Sequence, residues 1–387
     1  MKDCRRICVV ALALSIAIEG CATDAPKERL RVDPVEMALN LPDTGFDSSH
    51  IEFDKLPRLT GQHAIVSARD AHLPFQLHSY LLFHGGQYWC MWSQGPPIED
   101  EATQEVRYAT SPDGLHWSES ASLTGPPESG YGYIARGFWV RDGKLHALVA
   151  HFIGKGAFGH NKDLSIQAFD WDEAAHGWKR GKTLYEDAIN NFAPQMLANG
   201  EWMMIRRDSH FNVFVLTGGR KAIDDWDSVA MVRRGQVRGF IPDEPIWWPL
   251  ADGSLVSLFR DNASSGWLYR SVSTDNAKTW TTPRPTNLPS APSKLYALRV
   301  DGECEALISN ANVVAQRRQL YLSTAPDGRM FTRMALLVIP RAGSTTVQYP
   351  HAIVHDGSLL ITFSRNKAAI EVLKVPLSDV RAMCQQG

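Results

Sequence analysis

Residues 111–117 read SPDGLHW, and altered versions recur as STDNAKTW at 273–280 and APDGRMF at 325–331. Each stretch has Asp in third place, then a small or turn-forming residue, then a closing aromatic. An Asp carboxylate in such a turn accepts the backbone N–H groups of the residues that follow it. The aromatic then pins the turn to its own sheet. Trp117, Trp178, Trp226, Trp280 and Phe331 follow one another at intervals of 61, 48, 54 and 51 residues. The stretches thus mark a repeat rather than an isolated loop.

A second marker runs in phase. Gly85-Gly86, Asp142-Gly143, Asn199-Gly200, Asp252-Gly253, Asp301-Gly302 and Asp356-Gly357 each separate two apolar runs, and their second residues step by 57, 57, 53, 49 and 55. These dipeptides favour two-residue hairpins because Gly, and less easily Asn or Asp, tolerate positive φ. Units of about fifty residues that contain several short strands are propeller blades. Six hairpins predict an all-β, six-bladed β-propeller. The last unit offers only three strands, VQYPHAIV, SLLITFS and IEVLKVPL, so a strand within 49–66 is expected to close the ring. A seventh blade from residues 36–75 would lack the hairpin signal. No helix of normal length is expected.

The chain has 387 residues, 44% hydrophobic and 21% charged, with a net charge of -2. That supports a large core and gives no footing for a nucleic-acid or polybasic membrane role. Lys2, Arg5 and Arg6 precede the apolar run ICVVALALSIAI (7–18), which is too short to span a bilayer and reads as an export signal. IEGC follows and resembles a lipoprotein signal, which implies lipidation and membrane attachment at Cys21. The expected organisation is a signal over 1–21, a linker over 22–48 and the propeller over 49–387. Cys90, Cys304 and Cys384 show no metal-ligand spacing, and one disulfide among them suits an exported chain.

The three Asp turns resemble the Asp-box of sialidase-like β-propellers, Ser-x-Asp-x-Gly-x-Thr-Trp, although Ala277 stands where Gly is usual. The resemblance covers roughly residues 76–376. In a propeller, the innermost strands point one end at the central axis, so functional groups are sought at the start of each first strand or the end of each second. Those places hold His78 with Asp100 in the next loop, Arg136, Arg207, Glu244 with Arg260, Lys294, Tyr349 with His351, and Arg365. Arg136, Arg207, Arg260, Lys294 and Arg365 come from five blades. Cations converging on one mouth favour an anionic ligand, here an acidic glycan.

The resemblance implies Tyr349 as nucleophile, Glu244 as its partner, Arg260 as a carboxylate binder, and Asp100 or neighbouring Glu99 as acid/base. The family's first-blade Arg is missing, with His78 on that strand, and Ser293-Lys294 stands in place of the fifth-blade Arg. The reading is an exported, monomeric glycoside hydrolase that releases a terminal acidic or deoxy sugar, placed in the periplasm, on the outer membrane or outside the cell. One alternative is a His78-dependent lyase acting on a uronate linkage, with His351 and Tyr349 sharing proton transfer. Another is a non-catalytic glycan-binding propeller. No GxSxG, HExxH or phosphate-binding loop stands out, and neither metal nor cofactor is expected.

Overall fold

The computed structural model describes residues 36–42, 51–154, 163–340 and 345–385. The signal read at 1–21, Cys21 and most of the linker lie outside the described residues. Six antiparallel sheets follow one another along the chain. Their innermost strands are Phe75–His84, Tyr131–Arg141, the pair Ile189–Asn190 and Gln195–Met196, Pro242–Pro249, Tyr296–Asp301 and Val347–His355. Each begins a blade that runs outward through a second and a third strand to a fourth.

The sixth blade is completed from the other end of the sequence. Gln62–Ser67 lies antiparallel to Ala369–Pro376, with Gln62 opposite Lys374. The closing strand thus sits at the far edge of the expected window and runs one residue past it. No seventh blade forms from 36–75 among the described residues. Glu36 bridges Thr286, Leu39 bridges Phe331, and Arg58–Leu59 pairs in parallel with Arg333–Leu337. Leu39 is fully buried, so the stretch read as linker contains packed residues.

The Asp turns form as the sequence predicts. The Asp113 carboxylate accepts the N–H groups of Leu115 and His116 at 2.9 and 2.8 Å, and Asp327 accepts those of Arg329 and Met330 at 2.8 and 3.0 Å. Asp275 accepts the Thr279 N–H at 2.9 Å. Trp117 and Trp226 close their turns by donating Nε1–H to a backbone carbonyl three residues back, Gly114 and Ile223.

Alternation of strand direction then decides where chemistry can sit. The Gly hairpins join first to second strands and the Asp turns join third to fourth, so in an antiparallel blade both lie on one face of the ring. Second-to-third loops and the starts of the first strands occupy the opposite face. Among the described residues one α-helix forms, Leu377–Gln385, after the last strand, where the sequence pattern predicts none. Cys384 on this helix is bonded to Cys304 of the fifth blade, while Cys90 is buried and free. The bridge closes a loop of 80 residues. Replacing Cys304 and Cys384 by Ser should cost about 2–4 kcal/mol, seen as a lower denaturant midpoint; an unchanged midpoint would mean the helix is held without it.

Candidate active site

Four inner strands break their pairing near the start, each on the same face. The register slips between Leu77 and Tyr80, Ala135 and Gly137, Asp243 and Ile246, and Gln348 and His351. One residue in or bordering each bulge has positive φ: His78 at 57°, Gly137 at 112°, Glu244 at 44° and Tyr349 at 59°. A bulge inserts one extra residue and re-aims a side chain. Holding a non-glycine residue in this region costs on the order of 1–3 kcal/mol and persists only where its surroundings enforce it. Three of the four proposed catalytic side chains sit at such positions, and the fourth, Asp100, has φ 62° in its loop.

A cavity of about 340 Å³ opens on this face, lined by Glu99, Asp100, Phe211, Asp243, Glu244, Arg260, Asn262, Arg317, Tyr349 and Lys367. That volume is in the range of small-ligand sites. The Arg260 guanidinium organises one wall: the same Nη1 bonds the Glu244 carboxylate and donates to the Tyr349 hydroxyl at 3.2 Å. Burial, reinforced by the Glu244 charge, raises the Tyr349 pKa well above the ordinary phenol value, with Arg260 opposing. Tyr349 is thus held as a neutral phenol with a carboxylate nearby.

Arg317 stands 5.8 Å from the Tyr349 ring centroid and donates to Gln348 Oε1 at 2.6 Å and to the Pro292 carbonyl at 2.5 Å. Both acceptors are uncharged, so a cation faces the pocket alongside Arg260. Sequence reasoning missed this residue. It lies in a short 3-10 turn, Gln316–Arg318, within the second-to-third loop of blade five, where no periodic pattern marks a position.

The opposite wall is the first-blade loop after Gln87–Gly95. Burial and the neighbouring Glu99 raise the Asp100 pKa to about 7, with Arg136, Arg207 and Lys367 opposing. Asp100 Oδ1 is buried without a hydrogen-bond partner. Glu99 is ion-paired with Lys367, from the turn after Ser358–Arg365, and lies 3.6 Å from His78 Nε2. His78 is 1% exposed and lies behind Glu99 rather than on the pocket surface. Burial, with Arg136, Lys294 and Lys367 nearby, pushes its pKa well below the usual imidazole value.

The expected ring of five cations does not form around one mouth. Arg207 pairs with Asp243 at 2.8 Å and stacks on Phe211. Arg136 and Arg207 border a side cavity of about 20 Å³ that shares Asp243 and Glu244 with the main pocket but has no room for a sugar ring. Lys294 is fully buried and donates to the Tyr80 hydroxyl at 2.6 Å, while Tyr80 donates to the Asn191 carbonyl at 2.6 Å. Burial pushes its amine well below the usual lysine pKa. His351 accepts the Leu81 N–H at Nδ1 and packs 4.2 Å from the Tyr296 ring. Lys294 and His351 therefore build the floor beneath the pocket and do not face a ligand. Two residues down a strand is roughly 7 Å deeper, which explains why His351 lies below Tyr349. Arg365 faces away and forks onto Glu371, which also holds His63.

Asp187, Asp208 and His210 lie close enough to share a cation. However, Asp208 already accepts the His210 and Asn212 N–H groups, and Asp187 that of Ser209. Nothing further at this cluster points to an ion.

A BNR repeat-like domain model matches residues 219–361, from the end of blade three into blade six. No curated protein matches the sequence significantly. Among solved structures, a protein of unknown function from Dyadobacter fermentans superposes with a TM-score of 0.64 at 13% identity, over 81% of this chain and 98% of that one. The Hadza microbial sialidase Hz136 gives 0.64 at 12% identity, over 81% and 68%. The NanB sialidase of Streptococcus pneumoniae gives 0.63 at 11%, over 83% and 71%. The fold is a six-bladed β-propeller like that of these sialidases, and the BNR repeat-like match covers part of it. Identities this low speak to fold alone, and a fold does not by itself assign a role.

The buried Arg207–Asp243 pair is a test of how the walls are held. Asp243→Ala should destabilise the protein by about 3–5 kcal/mol, because Arg207 would keep its charge without its partner. Thermal unfolding checks this, and a loss under about 1 kcal/mol would show that water reaches Arg207.

Proposed function

We propose that the protein is an exo-acting glycoside hydrolase that removes a terminal acidic sugar from a glycan, with Tyr349 as nucleophile. The observation that carries this reading is the shared guanidinium: Arg260 holds both Glu244 and the Tyr349 hydroxyl, with Asp100 on the facing wall of the same cavity. In the first step the Tyr349 oxygen bonds the anomeric carbon as the glycosidic C–O bond breaks. Glu244 takes the phenolic proton and Asp100 gives its proton to the departing oxygen. In the second step Asp100 takes a proton from water, which attacks the same carbon as its bond to the Tyr349 oxygen breaks, and Glu244 returns the proton to that oxygen. A neutral phenol suits an anionic substrate, because a carboxylate nucleophile would repel the substrate's own charge. Arg260 and Arg317 stand beside the ring that attacks and would hold that carboxylate.

The lyase reading is less well supported, because it needs His78 at the substrate and Glu99 stands between. A purely glycan-binding role would leave unexplained why Asp100, with its carboxyl raised to about 7 by burial and Glu99, shares one cavity with Glu244 and Tyr349. Export is supported by the charged and apolar pattern of 2–18 and by the Cys304–Cys384 bridge, which suits an oxidising compartment. We place the protein in the cell envelope with Cys21 lipidated, acting as a monomer. Fatty-acid labelling should mark the wild type and not Cys21→Ser; equal labelling of both would contradict the assignment.

Incubation with a panel of acidic glycans, read by product mass and ultraviolet absorbance, tests the reaction class. Hydrolysis adds one water and gives no unsaturated product. Tyr349→Phe and Glu244→Gln should each lower kcat by about 10²–10⁴. Asp100 must be protonated to act as acid, so kcat/KM should fall as pH rises through about 7, the value to which burial and Glu99 raise its carboxyl. An unsaturated product with full activity in Tyr349→Phe would defeat the reading.

A further inference from the structure

Glu99 has no part in the two-step reaction, yet two charged or titratable side chains from different blades converge on its carboxylate at the pocket mouth. Lys367 pairs with Glu99 Oε2, and His78 Nε2 lies 3.6 Å from Oε1. Both partners are fixed from behind. Ser93 Oγ accepts the Ala135 N–H at 2.9 Å and lies 3.2 Å from His78 Nδ1. A hydroxyl that has accepted one bond can donate its own hydrogen to Nδ1, which leaves the Nε2–H facing Glu99. Lys367 sits in a two-residue turn with Asn366, both at positive φ (53° and 56°), and its carbonyl accepts the Gln76 N–H at 2.7 Å. His78, Asp100 and Lys367 thus all occupy left-handed backbone positions around one carboxylate.

We propose that Glu99 is a positioning residue for Asp100: pinned by Lys367 and His78 at the cavity that both acids line, it presents a fixed negative charge to its neighbour in the same loop. On this account His78 neither touches substrate nor transfers a proton; it fixes Glu99. The charged groups that bear on Asp100 are Glu99 on its own loop, Arg136 from blade two, Arg207 from blade three and Lys367 from blade six. Three cations would drive Asp100 to ionise, and burial with one fixed anion opposes them. Lys367 attracts the Asp100 anion and shares with His78 the holding of Glu99, so with His78 still in place the loss of Lys367 removes chiefly that attraction. The inference rests on the hydrolase reading only for the use to which the Asp100 proton is put.

The test follows the Asp100 carboxyl directly. The protein is labelled with ¹³C at aspartate Cγ, and the Asp100 signal is assigned by its loss in Asp100→Asn. It is then titrated in the wild type, Glu99→Gln and Lys367→Met. The wild-type midpoint should lie near 7. Glu99→Gln should lower it by about one unit, as removal of an adjacent like charge requires, and Lys367→Met should raise it. Opposed shifts are a signature that loosened packing would not give. A wild-type midpoint in the ordinary carboxylate range, no shift in either variant, or shifts of the same sign would overturn the proposal. Should Glu99→Gln fail to fold, Lys367→Met alone decides, because an unchanged or lowered midpoint contradicts it. The titration needs no substrate. Opposed shifts in a protein that cleaves no glycan would sink the hydrolase reading and keep this one; cleavage with a midpoint indifferent to Glu99 and Lys367 would do the reverse.

Discussion

The site depends on a backbone constraint: one extra residue near the start of four inner strands, which makes left-handed φ values necessary at His78, Glu244 and Tyr349. A regular strand alternates its side chains between two faces, and in a blade those faces are packed against the neighbouring blades. The bulge releases one side chain from that alternation and turns it toward the axis. The energetic cost is borne by the buried apolar clusters that pack the six sheets against one another. Rigid blades, closed by Gln62–Ser67, are what let strained residues keep their positions.

Charge is distributed with similar economy. Glu244 answers Arg260, Asp243 answers Arg207, and Glu99 answers Lys367. Arg317 bonds only uncharged acceptors. The pocket surface thus leaves about one positive charge to be met by a ligand, which suits a sugar carrying a single carboxylate. At the floor, burial pushes the Lys294 amine and the His351 imidazole well below their usual pKa values, and both side chains are taken up by hydrogen bonds within the protein.

The fold was legible because its markers are local. An Asp turn or an Asp-Gly hairpin depends on a few adjacent residues, and their spacing survives in the sequence as a ruler. Glu244, Arg260, Tyr349 and Asp100 could be placed by counting from those markers. Depth and direction could not. His351 and Lys294 were assigned to the mouth because a pattern reading cannot tell the axial surface from the axial core. Arg365 was misplaced because alternation sends Ser364 toward the neighbouring blade, where it bonds the Gln76 carbonyl, and Arg365 toward Glu371. Arg317 and Lys367 stand on irregular loops whose conformation is set by contacts far away in sequence. The pairing of Cys304 with Cys384 also needed the unforeseen C-terminal helix.

The central claim is that the Tyr349 oxygen forms a bond to the sugar. A fluorinated acidic-sugar donor, whose second step is slowed, should trap that intermediate for mass analysis of the digested protein. The account predicts one added sugar on the peptide containing Tyr349 and none on Tyr349→Phe. Attachment to another residue, or turnover of the donor with no adduct on the wild type, would contradict it.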